Sequence, residues 1–267
     1  MLLLAILSFP PLFFSAVYAR ANDDSGPYPF SVGEKLRYSI YADGIKIGNQ
    51  TLEVDAQNDQ NGVEVYVLRG QSRSSNLLSI VYRLDDRWSI WMDEKTLHPI
   101  RVEKDWAEGR KEGLYLYEID QDEGVVTHRD MESGKIRTIQ AKNTVFDLFS
   151  LLYFYRANAE WMANPFTFDF LESKAVRTVH FKDEGVTQVV VQNISPHRAI
   201  AARKLKQVGG VGIEIYVTTD RFRLPLKLVT PAKISKKKVV DIEFVIDGFT
   251  PGAGQGDLPR EYRRLKY

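Results

Sequence analysis

The sequence predicts a mainly β protein: a curved antiparallel sheet, or half-open barrel, wrapped around one central apolar helix. Three observations predict it. Short runs of alternating apolar and polar residues recur along the chain, separated by turn residues at regular spacing. No strand–helix–strand alternation interrupts them, so an antiparallel meander is favoured over βαβ units. The one clear helical stretch, Thr144 to Ala159 (TVFDLFSLLYFYRANA), has no true polar face. A helix that is apolar nearly all round must be buried on several sides. It is too short to cross a bilayer, which takes about 20 apolar residues.

Taken in order, Asn22 to Pro29 is a polar lead-in, and the β text begins at Leu36. Leu36, Tyr38 and Ile40 alternate with polar neighbours, Asp43-Gly44 marks a tight turn, and Ile45 and Ile47 begin the return. Val63 to Arg69 and the aromatic-rich Ile80 to Met92 read as strands, with a reversal at Leu97-His98-Pro99. Two further strands cover Ile100 to Trp106 and Gly113 to Ile119, followed by turns at Gln121 to Gly124 and Glu132 to Lys135. In the helix, Thr144 is expected to cap the first turn, with Asp147 three residues on near the positive helix end. Beyond Asn164-Pro165, Phe166, Phe168 and Phe170 restart alternation. Val186 to Gln192 follows, then Ile200 to Val208 pairing with Gly212 to Thr218 across Gly209-Gly210. Leu224, Leu226 and Leu228 and then Val240, Ile242, Phe244 and Ile246 complete the set, with Pro225 placed at a strand edge or start. These elements make one domain over 27–249. The tail 250–267 loses periodicity and is expected to be mobile.

Met1 to Ala19 (MLLLAILSFPPLFFSAVYA) reads as a secretory signal cut after Ala19 or Ala21, although it lacks a basic n-region. No cysteine follows it, so a lipid-modified N-terminus is excluded, along with disulfides and thiolate metal sites. The expected compartment is the periplasm. A formal net charge of +1 argues against general affinity for nucleic acid.

His98, His128, His180 and His197 have no metal-ligand spacing, so no metal site and no cofactor is expected. Phosphate-binding and nucleophile-elbow motifs are missing. Asp85, Asp86, Asp105 and Glu108 are candidates for the paired carboxylates of glycoside hydrolysis. They are better explained as cross-strand ion pairs with Arg83, Arg87, Arg101 and Arg110. Tyr82, Trp88, Trp91, Trp106, Tyr115 and Tyr117 fit core packing before a carbohydrate platform. If the helix leaves the concavity partly open, Leu148, Leu152 and Tyr155 on it and Trp88 and Trp106 on the sheet are the candidate ligand-binding residues. Lys233, Lys236, Lys237 and Lys238 form a basic hairpin tip suited to an anionic headgroup, or equally to a solvated turn.

Four phrases line up in order: PFSVGEKLRYSIYADGIKIGNQTLEV (29–54), VYRLDDRWSIWMDEKTLHPIRVEKDWAEGR (81–110), FDLFSLLYFYR (146–156) and YVTTDRFRLPLKLVTPAKISKKKVVDIEF (216–244). Together they resemble an exported bacterial family known as domain of unknown function 3108. The last phrase is also similar to periplasmic lipoprotein carriers built as half-open β barrels. The resemblance implies compartment and fold, and brings no catalytic residues. The expected function is non-enzymatic binding of an apolar or amphipathic envelope component, a lipid, lipopolysaccharide or lipid-linked glycan, with peripheral membrane contact. The alternative is a scaffold or assembly factor acting on an envelope protein partner, with the cavity plugged. An envelope-polysaccharide enzyme ranks third.

Overall fold

The computed structural model describes residues 28–265 apart from 61, 76–82, 160, 161, 163, 173, 174, 193, 195–198, 211 and 234–238. The signal stretch, the start of the strand expected from Ile80, His197 and Lys236 to Lys238 therefore lie outside the described residues, as does the side chain of Lys233.

Fifteen strands form one sheet. The first eight are β1 (Lys35–Ala42), β2 (Ile45–Gln60), β3 (Val63–Ser74), β4 (Asp85–Asp93), β5 (Pro99–Glu108), β6 (Lys111–Asp120), β7 (Val125–Asp130) and β8 (Ile136–Gln140). The others are β9 (Val145–Phe146), β10 (Phe166–Leu171), β11 (Val176–Val189), β12 (Ile200–Val208), β13 (Glu214–Thr218), β14 (Pro225–Lys233) and β15 (Val239–Thr250). Each set is a meander of sequential neighbours, and the two join where β1 pairs with β15. All pairings are antiparallel except β9 on β10. Asp43 and Gly44 both take positive φ at the β1–β2 turn, the geometry a two-residue hairpin requires.

The outer strands of the sheet, β8 and β9, are consecutive in the chain and separated only by 141–144. Five Cα steps reach at most about 19 Å, so the sheet must curl until its edges approach. Side chains stitch the approach. Gln121 donates to the carbonyls of Pro99 (2.7 Å) and Val145 (3.0 Å) and accepts from the Val145 N–H (2.9 Å). Asp169 on β10 accepts from the N–H groups of Lys142 (2.6 Å) and Asn143 (3.1 Å), and from Thr178 (2.7 Å). Burial works to raise the Asp169 carboxyl, but these donors hold it below its usual value.

The same stitches correct the expected helix start. With the N–H groups of 142, 143 and 145 taken by Asp169 and Gln121, Thr144 does not cap, and Val145-Phe146 become β9. Helix α1 runs Leu148–Asn158 with Asp147 as its cap. Asp147 accepts from the N–H groups of Phe149 (2.8 Å) and Ser150 (3.3 Å), and Ser150 Oγ accepts from the Asp147 N–H (3.0 Å). This is a capping box with serine in place of the usual Glu or Gln. Burial pushes the Asp147 carboxyl up, against the lowering effect of these bonds.

Because strand direction alternates, the two ends of the curved sheet differ. The β1–β2, β3–β4, β5–β6, β7–β8, β10–β11, β12–β13 and β14–β15 connections lie at one end. The lead-in, the C-terminal segment and the last turn of α1 lie at the other, where they form a plug. Arg156 and Glu34 are both fully buried there, joined at 2.6 and 2.8 Å. Arg156 also donates to the carbonyls of Pro29 (3.1 Å), Phe222 (3.0 Å) and Arg223 (3.0 Å), and Tyr153 donates to Glu34 (3.0 Å). The tail expected to be mobile is instead part of this plug. Residues 260–265 form a 3-10 helix, Leu258, Tyr262 and Leu265 are buried, and Tyr262 bonds Asp220. Three buried apolar residues, Leu258, Tyr262 and Leu265, are enough to anchor a segment too short to show periodicity.

Candidate functional site

The plug occupies one end of the concavity, and the inward-facing apolar surface beside α1 continues towards the seven-connection end. There the first turns of α1 face β1, β2, β13, β14 and β15. Leu148, Phe149 and Leu152 meet Leu52, Ile215, Leu228 and Phe244 across an apolar groove, with Gln50 and Lys227 at its margin. Enclosed space in the groove amounts to only about 20 Å³, close to the room one water needs. Of the alternatives that the sequence left open, the space beside Leu148 and Leu152 among the described residues is a shallow apolar cleft next to α1. Leu52 and Ile215 are fully buried, whereas Leu148, Phe149 and Phe244 keep part of their surface exposed.

The candidate residues separate. Leu148 and Leu152 line the cleft. Trp88 stacks on Phe149 with ring centroids 4.5 Å apart and thereby supports the cleft from behind. Its indole lies over Gly70, where a Cβ would stand 2.3 Å from the ring, so glycine is required at that cross-strand position. Trp106 sits elsewhere on the sheet, over Gly113 and 5.8 Å from Tyr115. The indole nitrogens of Trp88 and Trp106 meet no hydrogen-bond acceptor among the described residues. Tyr155 faces away from the cleft and donates to Asp183 (3.0 Å), and burial together with that carboxylate pushes its phenol well up.

The four acids also divide, by strand alternation. Asp85 accepts from Gln71 (2.8 Å) and Arg73 (3.2 Å), and Asp105 lies 3.9 Å from Arg87. Asp86 is buried, 3.0 Å from Lys104, and Glu108 shares that lysine at 4.0 Å. Burial and the adjacent Asp86 raise the Glu108 carboxyl. Both carboxylates are thus engaged by the same ammonium group, Lys104. With the lysine between them, they make an ion-paired cluster.

A polar groove of about 310 Å³ crosses the outer face over β2 to β6, with Thr51, Gln71, Arg87, Asp105 and Leu114 as one cross-strand row. Among the described residues no group of three or more His, Asp or Glu side chains is arranged to hold a metal ion, and no helix is long and apolar enough to cross a membrane.

Sequence reasoning passed over Glu34 and Arg156, the fully buried ion pair of the plug. A lone arginine near the end of an otherwise apolar helix was the available signal, since a buried guanidinium demands a carboxylate partner.

The solved structure of a β-barrel-like protein of domain of unknown function DUF1849 from Brucella abortus is similar to this one. Its TM-score is 0.57 at 7% identity, covering 83% of this chain and 98% of that chain. At that identity the likeness concerns the fold alone. No curated protein matches the sequence. A family model, described as protein of unknown function DUF3108, matches residues 37–241. The curved β architecture and this match over most of the chain agree, and the chain belongs to the DUF3108 family.

Proposed function

We propose that this chain is a non-enzymatic binding protein of the cell envelope that holds the apolar end of an amphipathic component, a lipid or lipid-linked glycan. One observation carries the reading: the apolar cleft between α1 and β1, β2 and β13–β15, part-exposed on Leu148, Phe149 and Phe244 while the far end of the sheet is plugged. Apolar surface left at a concave site is where an acyl chain gains most by leaving water. The test is titration with a fluorescent fatty acid and with lipopolysaccharide. Saturable binding should fall at least tenfold in Leu148→Trp, which fills the cleft, with the melting temperature kept. Absence of saturable binding by the wild type would refute the reading.

The small enclosed volume favours a second reading, in which α1 is a permanent plug and the protein is a scaffold acting through its surface. Under that reading Leu148→Trp changes no lipid titration, and crosslinking in whole cells captures a protein partner.

A further inference from the structure

The two edges of the sheet are finished differently. At one, β9 is two residues long and the chain beside it, 142–145, is held by Asp169 and Gln121. At the other, β8 pairs with β7 on one side only. The Ala141 N–H bonds the Gly124 carbonyl (2.8 Å) and the Asp130 N–H bonds the Lys135 carbonyl (2.9 Å), which fixes the phase of the β7–β8 ladder. Bonded and non-bonded pairs alternate in an antiparallel ladder, so Arg137 and Ile139 bond to β7. The N–H and C=O groups of Ile136, Thr138 and Gln140 point away from it, and no described strand takes them. Ile136, Arg137, Thr138 and Gln140 are exposed, and only Ile139 packs against the core. Free strand edges are ordinarily blunted by proline, bulges or charge. β8 has no proline and no register shift, and Arg137 is its one charge.

We propose that β8 is a self-association edge, pairing antiparallel with β8 of a second copy about a two-fold axis at Thr138. Thr138 then faces Thr138 of the second copy and Ile136 faces its Gln140. Each pair exchanges both bonds, so every outward backbone group is used. Arg137 comes opposite Ile139 of the second copy on the concave face, where its aliphatic stem covers that half-buried side chain. No like charges stand opposite each other in this register, and threonine opposite threonine is a favourable cross-strand pair. A foreign strand would bond the same backbone groups, but its selection takes pockets for alternate side chains. Neither the apolar cleft nor the outer-face groove includes a β8 residue. Five residues make a small interface, so the dimer is a weak one. Association through β8 is independent of the cleft and of what it holds.

Sedimentation velocity of the mature full chain tests it. The mass should move from monomer towards dimer between about 10 µM and 1 mM, with or without fatty acid. Thr138→Pro removes only an outward N–H, so it should keep the wild-type melting temperature and raise the dimer dissociation constant at least about tenfold. Thr138→Asp and Thr138→Lys should each be monomeric alone, because like charges meet on the axis. Mixed together they should dimerise, and added salt should weaken that recovery. Recovery on mixing requires residue 138 to face itself, and the charged variants carry the test if the proline unfolds the protein. A wild type that stays monomeric at about 1 mM overturns the proposal. So does a dimer that Thr138→Pro leaves unchanged, or a pair of charged variants that stays monomeric when mixed. Fluorescent fatty acid should bind wild type and Thr138→Pro alike if the cleft reading holds, which separates the two outcomes.

Discussion

Replacing Arg156 with methionine tests the plug most directly. The guanidinium is fully buried and donates five hydrogen bonds, two to Glu34 and one each to the carbonyls of Pro29, Phe222 and Arg223. Methionine keeps most of the volume but leaves Glu34 buried without its cationic partner, with Tyr153 at 3.0 Å and Gln255 at 3.5 Å. Breaking a buried pair from one side costs about 3–5 kcal/mol. The three carbonyls lose donors as well, which places the change at the upper end of that range. For a domain of this size each kcal/mol lowers the melting temperature by about 2–4 °C, so a fall of roughly 10–20 °C is expected by circular dichroism. Glu34→Gln combined with Arg156→Met removes both charges and should recover part of the loss, since the uncompensated carboxylate is then gone. If Arg156→Met melts within about 3 °C of wild type, or the double variant is worse than additive, the pair does not hold the plug together.

Three further outcomes follow from local geometry. Leu152→Asp sets an unpaired charge at a site 3% exposed and should unfold the protein at ambient temperature, whereas Leu148→Asp, at the part-exposed rim of the cleft, should lower stability by less than half as much in urea titration. Gly70→Ala drives a methyl group into the Trp88 ring and should cost about 1–3 kcal/mol, read as a lower denaturation midpoint with altered tryptophan fluorescence. Burial alone would raise the Glu214 carboxyl, yet bonds from Lys204 (2.9 Å), Tyr216 (2.7 Å) and Lys206 (3.1 Å) bring it down to about 2. A depressed carboxyl contributes stability that is present above its unfolded value and lost as pH falls through the folded one. Wild type should therefore lose more stability than Glu214→Gln between about pH 4.5 and pH 2, and parallel curves would show that the cluster is not coupled to folding.

The β text was legible because alternation, turn glycines and an Asp-Gly hairpin each bear on local geometry, and Leu36, Tyr38 and Ile40 are buried as their spacing implies. The central helix was legible from its lack of a polar face, but its start was not. Thr144 reads as a good cap until Asp169 and Gln121, 25 and 23 residues away in sequence, claim the polar groups around it. The tail escaped for a related reason: Tyr262 is fixed by Asp220 and by packing, neither of which leaves a period in the sequence. In sequence the four carboxylates form one set, and only strand alternation sorts Asp86 with Glu108 and away from Asp85 and Asp105. That so little room remains beside Leu148 and Leu152 depends on side-chain volumes meeting in three dimensions, which periodicity does not encode.

The junction of the two meanders has a kinetic consequence. Every pairing within a meander joins strands adjacent in sequence, while β1 with β15 links residues about 200 apart, as Lys35 with Thr250. Seen as a circle, the sheet is a single up-and-down ribbon whose natural ends fall in its middle and whose cut falls at 141–144. Each half can zip from its own hairpins on a short timescale, leaving a single docking event of high loop-closure entropy to limit the rate. Joining the segments around Lys35 and Thr250 and opening the chain at 141–144 would turn that event into a local one. Such a circular permutant should fold faster than the natural chain, although it gives up the covalent tie across the seam.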